Sequence, residues 1–208
     1  MLFRSKVKVE KAELNGRKIR LANPAAMIHR RVFLVPGDRN VEGLMLNHSV
    51  YNNLIYPQLV RKSAKTLIPH RKFRKRCDEI VKTLGIKIRD LDVPVSMLSG
   101  GNAQKVVLGK WLMFDTNVML LADPAKGVDV GAKADMYRFL RNMAREKGTG
   151  IILYTSDTEE LIEQCDRLLI MFEGRFVAEL KGEDINEKTI CAAAMHGYAE
   201  DCAADGGE

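Results

Sequence analysis

The sequence predicts an α/β fold: a mostly parallel sheet with flanking helices, an antiparallel β edge and a helical insert. Two apolar runs without alternation, Val118–Leu121 and Ile151–Tyr154, read as strands buried on both faces of a parallel sheet. Helical patterns separate and follow them, and this alternation is the mark of α/β architecture. Asn47–Ser96 carries only helical patterns, broken at Pro57, Pro69 and Gly85, and reads as the insert.

In chain order, Val7–Leu14 alternates weakly and ends at Asn15-Gly16, a strong hairpin turn, with Lys18–Leu21 as the return strand. Asn23-Pro24 opens a short helix through Met27, and Arg31–Val35 is a brief apolar strand ending at Pro36-Gly37-Asp38-Arg39. Within the insert, Phe73, Cys77, Ile80, Val81 and Leu84 form a helical apolar stripe that Gly85 terminates. A helix then runs from the Ser99-Gly100-Gly101 turn to about Phe114. Gly131–Lys147 places Ala134, Tyr137, Leu140 and Ala144 on one face and stops at Gly148-Thr149-Gly150. A helix from about Thr158 to Cys165 follows, then a hairpin of Leu168–Phe172 and Arg175–Leu180 around Glu173-Gly174. Asp184 and Glu187 make a capping-box-like start to a last helix through Met195. Gly197–Glu208 is acidic and rich in small residues, and is expected to be disordered.

The 208 residues suffice for a domain with a real core. No stretch approaches the roughly 18 consecutive apolar residues of a membrane span, and Arg4, Lys6 and Lys8 interrupt any leader-like run. Four scattered cysteines suggest neither a disulfide framework nor a zinc site, which reads as a reduced, cytosolic protein. The net charge of +6 concentrates in Arg61–Arg76, with the run Arg71-Lys72-Phe73-Arg74-Lys75-Arg76. Such a run fits a solvated helix face, an acidic partner or lipid headgroups, or nucleic acid. Helical spacing favours the solvated face, because Phe73 belongs to the apolar stripe while Arg71, Lys75, Asp78 and Lys82 lie opposite it.

The chemistry centres on Met97-Leu98-Ser99-Gly100-Gly101-Asn102-Ala103-Gln104-Lys105. Glycine in a first turn costs roughly 0.5–1 kcal/mol against alanine, and a helix held by packing alone is expected to gain nothing from two. Two glycines do leave bare backbone N–H groups at the positive end of a helix, with Ser99 as cap: an anion site, with phosphate the favoured anion. The plainer alternative is a Ser-Gly-Gly turn before an ordinary helix.

Leu98-Ser99-Gly100-Gly101 resembles the signature motif of ABC-type ATPases. Leu120-Leu121-Ala122-Asp123-Pro124 resembles their Walker B segment, and Gly127-Val128-Asp129 their D-loop. The similarity is closest to the second nucleotide-binding domain of monosaccharide-importer ATPases (ribose, galactose and xylose type), and extends from about Glu13 to His196. It implies an ABC-ATPase-like fold in four parts: an N-terminal β portion with a Q-loop-like segment (1–46), a helical subdomain (47–97), a signature, Walker B-like and D-loop core (98–196), and the tail (197–208). It also implies ATP and Mg²⁺ as cofactors. A membrane permease and a second nucleotide-binding domain would be the partners, without nucleic acid. The location would be cytoplasmic, at the inner face of the cell membrane.

The departures from the family are specific. No G-x-x-x-x-G-K-[ST] loop is present to cradle phosphates; Met1-Leu2-Phe3 reads as the end of a Walker A helix, so the Walker A strand and helix are expected to be missing. Ala122 stands at the Mg²⁺-linked Asp position and Asp123 at the catalytic Glu position, where a stem one methylene shorter misplaces a base. For Asp123, capping or hydrogen-bonding the Pro124 turn is favoured over residual catalysis. Ser156 stands at the switch His position and Gly37 at a Q-loop position usually held by Glu in the subfamily. What remains intact is what such a domain gives to a partner's nucleotide: Ser99, Gly100, Gly101 and Asn102 of the signature, and Asp129 of the D-loop. The isolated chain is expected to be inactive as an ATPase, with one composite site completed by a partner that supplies Walker A. Loss of the Walker A elements is also expected to leave apolar surface open.

Overall fold

A computed structural model describes residues 9–21, 23–61 and 68–204. The readings at Met1–Phe3, in part of the basic run (62–67) and at 205–208 lie outside the described residues.

The chain opens with a short antiparallel hairpin, β1 (Glu13–Leu14) and β2 (Arg17–Lys18). Asn15 and Gly16 turn it with φ of 51° and 72°, the left-handed pair whose twist matches the strands. This ladder is shorter than the alternation predicts. In α1 (Pro24–His29), Asn23 accepts from the Ala26 N–H at 2.9 Å and Pro24 occupies the first turn, where its missing N–H costs nothing. β3 (Val32–Val35) follows, then a π-helical turn at Arg39–Gly43. The insert contributes α2 (Val50–Arg61) and α3 (His70–Leu84). The rest is α4 (Gly100–Leu112), β4 (Val118–Ala122), α5 (Val130–Lys147), β5 (Gly150–Tyr154), α6 (Thr158–Gln164), β6 (Arg167–Phe172), β7 (Arg175–Lys181) and α7 (Glu187–Ala204).

β3, β4 and β5 form a parallel sheet in that order, and β6 and β7 pair as an antiparallel hairpin, the expected β edge. Period-two alternation gives the parallel sheet two unlike faces. Phe33, Val35, Met119 and Leu121 point inward and are buried. Phe33 stacks on Trp111 of α4 at 4.8 Å, and the Trp111 indole N–H donates to the Leu34 carbonyl at 3.0 Å. The expectation of strands buried on both faces is corrected. Register puts Leu34 beside Leu120 and Ile152 on the other face, where Leu34 is 49% exposed, Ile152 61% and Tyr154 68%. An apolar run therefore marks a strand here without marking what covers it.

α4 is the wedge between this sheet and the insert, which is why Val106, Val107 and Leu108 are all buried although consecutive residues of a surface helix alternate in exposure. Asn53, buried on α2, satisfies both ends of its amide: it accepts from the Met45 N–H at 2.8 Å and donates to the Met45 and Ser49 carbonyls, each at 3.0 Å. The α3 stripe packs as its spacing predicts, through Phe73, Cys77, Ile80 and Leu84. In the basic run, Arg74 forks onto Asp92 at 2.7 and 3.1 Å and lies over the Tyr51 ring, and Arg76 donates to the Leu112 carbonyl. Charge there serves the helix's own packing.

Two helix assignments are corrected. On α5 the buried residues are Met136, Tyr137, Leu140 and Met143, while Ala134 is exposed: a small side chain at the stripe's margin gives a poor phase marker. α7 is capped by Asn186, which accepts from the Thr189 N–H at 3.0 Å, whereas Asp184 belongs to a preceding 3₁₀ turn. That helix runs past Met195 to Ala204, into the stretch expected to be disordered, where alanines carry high helix propensity. Among the described residues no helix is long and apolar enough to cross a membrane.

Candidate functional site

The loops following β3, β4 and β5 leave the sheet at its carboxyl end, the edge where open α/β sheets place ligand crevices. These loops and the start of α4 carry Ser99, Gly100, Gly101, Asn102, Asp123, Asp129 and Ser156. They assemble into two clusters.

The first cluster surrounds the N-terminus of α4. Ser99 caps it in extended conformation, its hydroxyl oxygen accepting from the Asn102 backbone N–H at 3.5 Å and the Asn102 side-chain amide at 2.9 Å. The Asn102 side-chain oxygen Oδ1 in turn accepts from the Lys87 N–H at 2.8 Å. Ser99 is exposed and its hydroxyl hydrogen remains available to a ligand. The two glycines have a reason that spacing did not reveal. A Cβ on Gly100 would lie 2.6 Å from the Gly127 carbonyl oxygen, and one on Gly101 would lie 2.7 Å from the Ala132 Cβ and 3.1 Å from Asp129 Oδ2. Packing therefore demands both glycines, which corrects the expectation that packing gains nothing from them. Asp129 caps α5, accepting from the Ala132 N–H at 2.9 Å, and so the loop 126–129 rests on the start of α4. Arg39 completes the cluster: its guanidinium donates to the Lys126 carbonyl at 2.6 Å and the Gly127 carbonyl at 3.2 Å. Sequence reading passed over Arg39 as part of a turn. The signal was an arginine beside Asp38 in a strand-end loop, which says nothing about a contact 87 residues away.

The second cluster lies where β4 and β5 end. Asp123 has φ of 41°, a left-handed conformation that Asp tolerates better than most residues at a cost of about 1 kcal/mol or more. Its N–H donates to the Tyr154 carbonyl at 2.7 Å, and its carboxylate accepts from the Ser156 N–H at 3.1 Å. The Asp123 and Ser156 positions are thus brought together, with the carboxylate holding the loop that carries Ser156. Gly37 adjoins them: its missing Cβ would sit 3.3 Å from the Ala122 carbonyl oxygen and 3.8 Å from the Asp123 Cβ. These residues do not fit a magnesium ion. Gly37 and Ala122 bring no side-chain donor, which leaves the Asp123 carboxylate alone among them, and among the described residues no group of three His, Cys, Asp or Glu could hold a metal.

A charged network supports this second cluster from below. Lys133 on α5 lies 2.8 Å from Glu160 and 3.0 Å from Asp157, the N-cap of α6, and the Tyr137 hydroxyl donates to Glu160 at 2.6 Å. Its contact with Glu160 raises the Lys133 pKa above the ordinary lysine value, and Lys133 holds the Asp157 carboxyl below the usual carboxylate range. Burial first, and then the Glu160 carboxylate, push the Tyr137 phenol up. Helical phase could not reveal this network, because Glu160 is buried on a short helix whose partners come from α5.

The architecture matches solved ATP-binding cassettes. A nucleotide-free cassette from an ABC transporter superposes with a TM-score of 0.71 over 88% of this chain and 74% of that one, at 21% identity. A dimeric cassette in a post-hydrolysis state, bound to ADP and phosphate, gives 0.67 over 81% of this chain and 71% of that one, at 19% identity. The chain has an ABC-ATPase-like fold. Among curated proteins, the ribose import ATP-binding protein RbsA 1 of Rhizobium etli is 43% identical over 185 residues, which are 88% of this chain and 36% of that protein. The ribose import ATP-binding protein RbsA of Geobacillus kaustophilus is 35% identical over 184 residues, 88% of this chain and 37% of that one. The chain therefore spans little more than a third of the length of these homologues, which support kinship with ABC-type sugar-import ATPases. No protein-family model matches it.

Proposed function

We propose that this chain acts in the ATP-binding subunit of an ABC-type sugar importer of the ribose type, as a signature donor whose own nucleotide site is degenerate. Its sequence corresponds to the second nucleotide-binding domain of such subunits, with residues 47–97 as the subdomain that meets a membrane permease at the cytoplasmic face. The observation that carries this reading is the contrast between the clusters. Ser99, Gly100, Gly101, Asn102 and Asp129 are assembled around one helix N-terminus, with a free hydroxyl hydrogen on the exposed side. Asp123, the carboxylate at the catalytic position, accepts from the Ser156 N–H, and its neighbours Gly37 and Ala122 bring no side-chain oxygen.

The mechanism follows from those residues. A nucleotide seated on the Walker A of a partner domain meets the α4 N-terminus, where backbone N–H groups, the helix dipole and the Ser99 hydroxyl stabilise phosphate charge. Asp129 sits beside that surface at the domain interface. Mg²⁺, where present, is held by the partner's residues, since Gly37 and Ala122 offer it none. The second reading, a regulatory pseudo-ATPase that never turns over nucleotide, is favoured by the same loss at Gly37 and Ala122.

Calorimetry with a non-hydrolysable ATP analogue tests the proposal, using the chain alone and mixed with an intact cassette that carries Walker A. Weak or absent binding alone, tighter binding in the mixture, and loss of that gain in Ser99→Arg are expected. Magnesium-dependent micromolar binding by the chain alone would refute the degenerate site. Hydrolysis by the mixture separates donation from the pseudo-ATPase reading.

A further inference from the structure

The π-helical turn Arg39–Gly43 is held at three points, each by a different part of the fold. At its start, Asp38 Oδ1 accepts from the N–H groups of Asn40 and Val41 at 3.0 and 3.1 Å. At its end, the Lys110 ammonium of α4 donates to the Gly43 carbonyl at 2.6 Å. From its first residue, Arg39 reaches the consecutive carbonyls of Lys126 and Gly127. The same guanidinium stands 2.9 Å from where a Gly100 Cβ would be. A cation beside the positive end of a helix is unfavourable by itself. The two loop carbonyls offset that cost only while the loop lies against α4. π-helical turns are rare and concentrate at functional places, and here the turn aims a planar fork at two acceptors spaced one residue apart.

We propose that Arg39 is a positioning residue: it fastens the loop 126–129 to the N-terminus of α4, so that Ser99, Gly100, Gly101, Asn102 and Asp129 meet the partner's nucleotide as one surface. This rests on the signature-donor reading. A lysine cannot substitute, because its ammonium is a point charge without a fork to span both carbonyls.

Hydrogen exchange read by mass spectrometry on the full chain tests this with Arg39→Ala and Arg39→Lys. Both variants are expected to speed exchange about tenfold or more in peptides covering 126–129, where the Lys126 and Val128 N–H groups donate to the Asp123 and Ala125 carbonyls and are exposed when the loop opens. Peptides of β4 (Met119–Leu121) should stay as in the wild type. In the calorimetric mixture, Arg39→Ala should weaken analogue binding by about tenfold. Unchanged exchange at 126–129, wild-type exchange in Arg39→Lys, or equal acceleration throughout β4 would each overturn the proposal, the last by showing a merely structural role. Exchange needs no partner domain. If the wild-type chain adds nothing to analogue binding in the mixture, the donor reading fails while the exchange result still decides the role of Arg39.

Discussion

The two clusters at the carboxyl end of the sheet differ in how closely their backbones approach and in how much charge they gather. Around Gly100 and Gly101, backbones approach so closely that a single Cβ would collide with the Gly127 carbonyl or with Ala132. Around Asp123 and Ser156, the contacts are hydrogen bonds and charges, propped by Lys133, Asp157, Glu160 and Tyr137. The first should be intolerant of added volume at Gly100 and Gly101, and a loss caused by volume there should not depend on salt. The second should tolerate volume and respond to charge and pH.

The strongest way to break this contrast lies in the charged network. Glu160→Ala removes the acceptor of both Lys133 and Tyr137 from a buried position, and is expected to destabilise the chain by about 3 kcal/mol, read from the denaturant midpoint at constant m. Next comes Gly101→Val, expected to cost about 2 kcal/mol by overpacking against Ala132, with the same loss at low and high salt; a loss that shrinks with salt would deny that volume is the cause. Asp123 gives a paired test. Asp123→Ala loses the Ser156 contact and keeps the left-handed strain, for a net cost of about 1 kcal/mol, whereas Asp123→Gly relieves the strain and should fall close to wild type in thermal melts.

Two smaller effects are read from pH. The Asp157 carboxyl is held low by Lys133, so its contribution to stability is present above its unfolded pKa and is lost as pH falls through its folded value. Melts of wild type against Asp157→Asn should therefore converge in acid. Lys110 gives the same sign of slope in an alkaline window, there as the relief of a burial penalty. Burial lowers its pKa to about 8, so between about 8 and the ordinary lysine value of roughly 10.4 the unfolded chain binds the extra proton. Stability tied to Lys110 should rise with pH across that window, and Lys110→Met should flatten the rise.

How much of this was legible beforehand can be followed residue by residue. The α3 stripe, the Asn15-Gly16 and Glu173-Gly174 turns and the Ser99 cap follow from local spacing and turn chemistry, and they stand as read. Ser99, Gly100, Gly101, Asn102 and Asp129 could be picked out together, as could Asp123 and Ser156, because motif order survives in one dimension. Arg39, Lys133 and Glu160 could not be picked out. Each acts on a partner far along the chain, and none repeats at a period that marks it.

By itself, then, the sequence determined the helices, the strand cores and the caps at Asn23, Gly85 and Ser99, since each depends on a few neighbouring residues and their hydrogen bonds. Tertiary structure alone decided which face of the sheet is buried, why two glycines must open α4, and that the Asp123 carboxylate accepts from the Ser156 N–H. Those outcomes depend on distances between backbones brought together only when the loops after β3, β4 and β5 converge, and neither propensity nor periodicity encodes such distances.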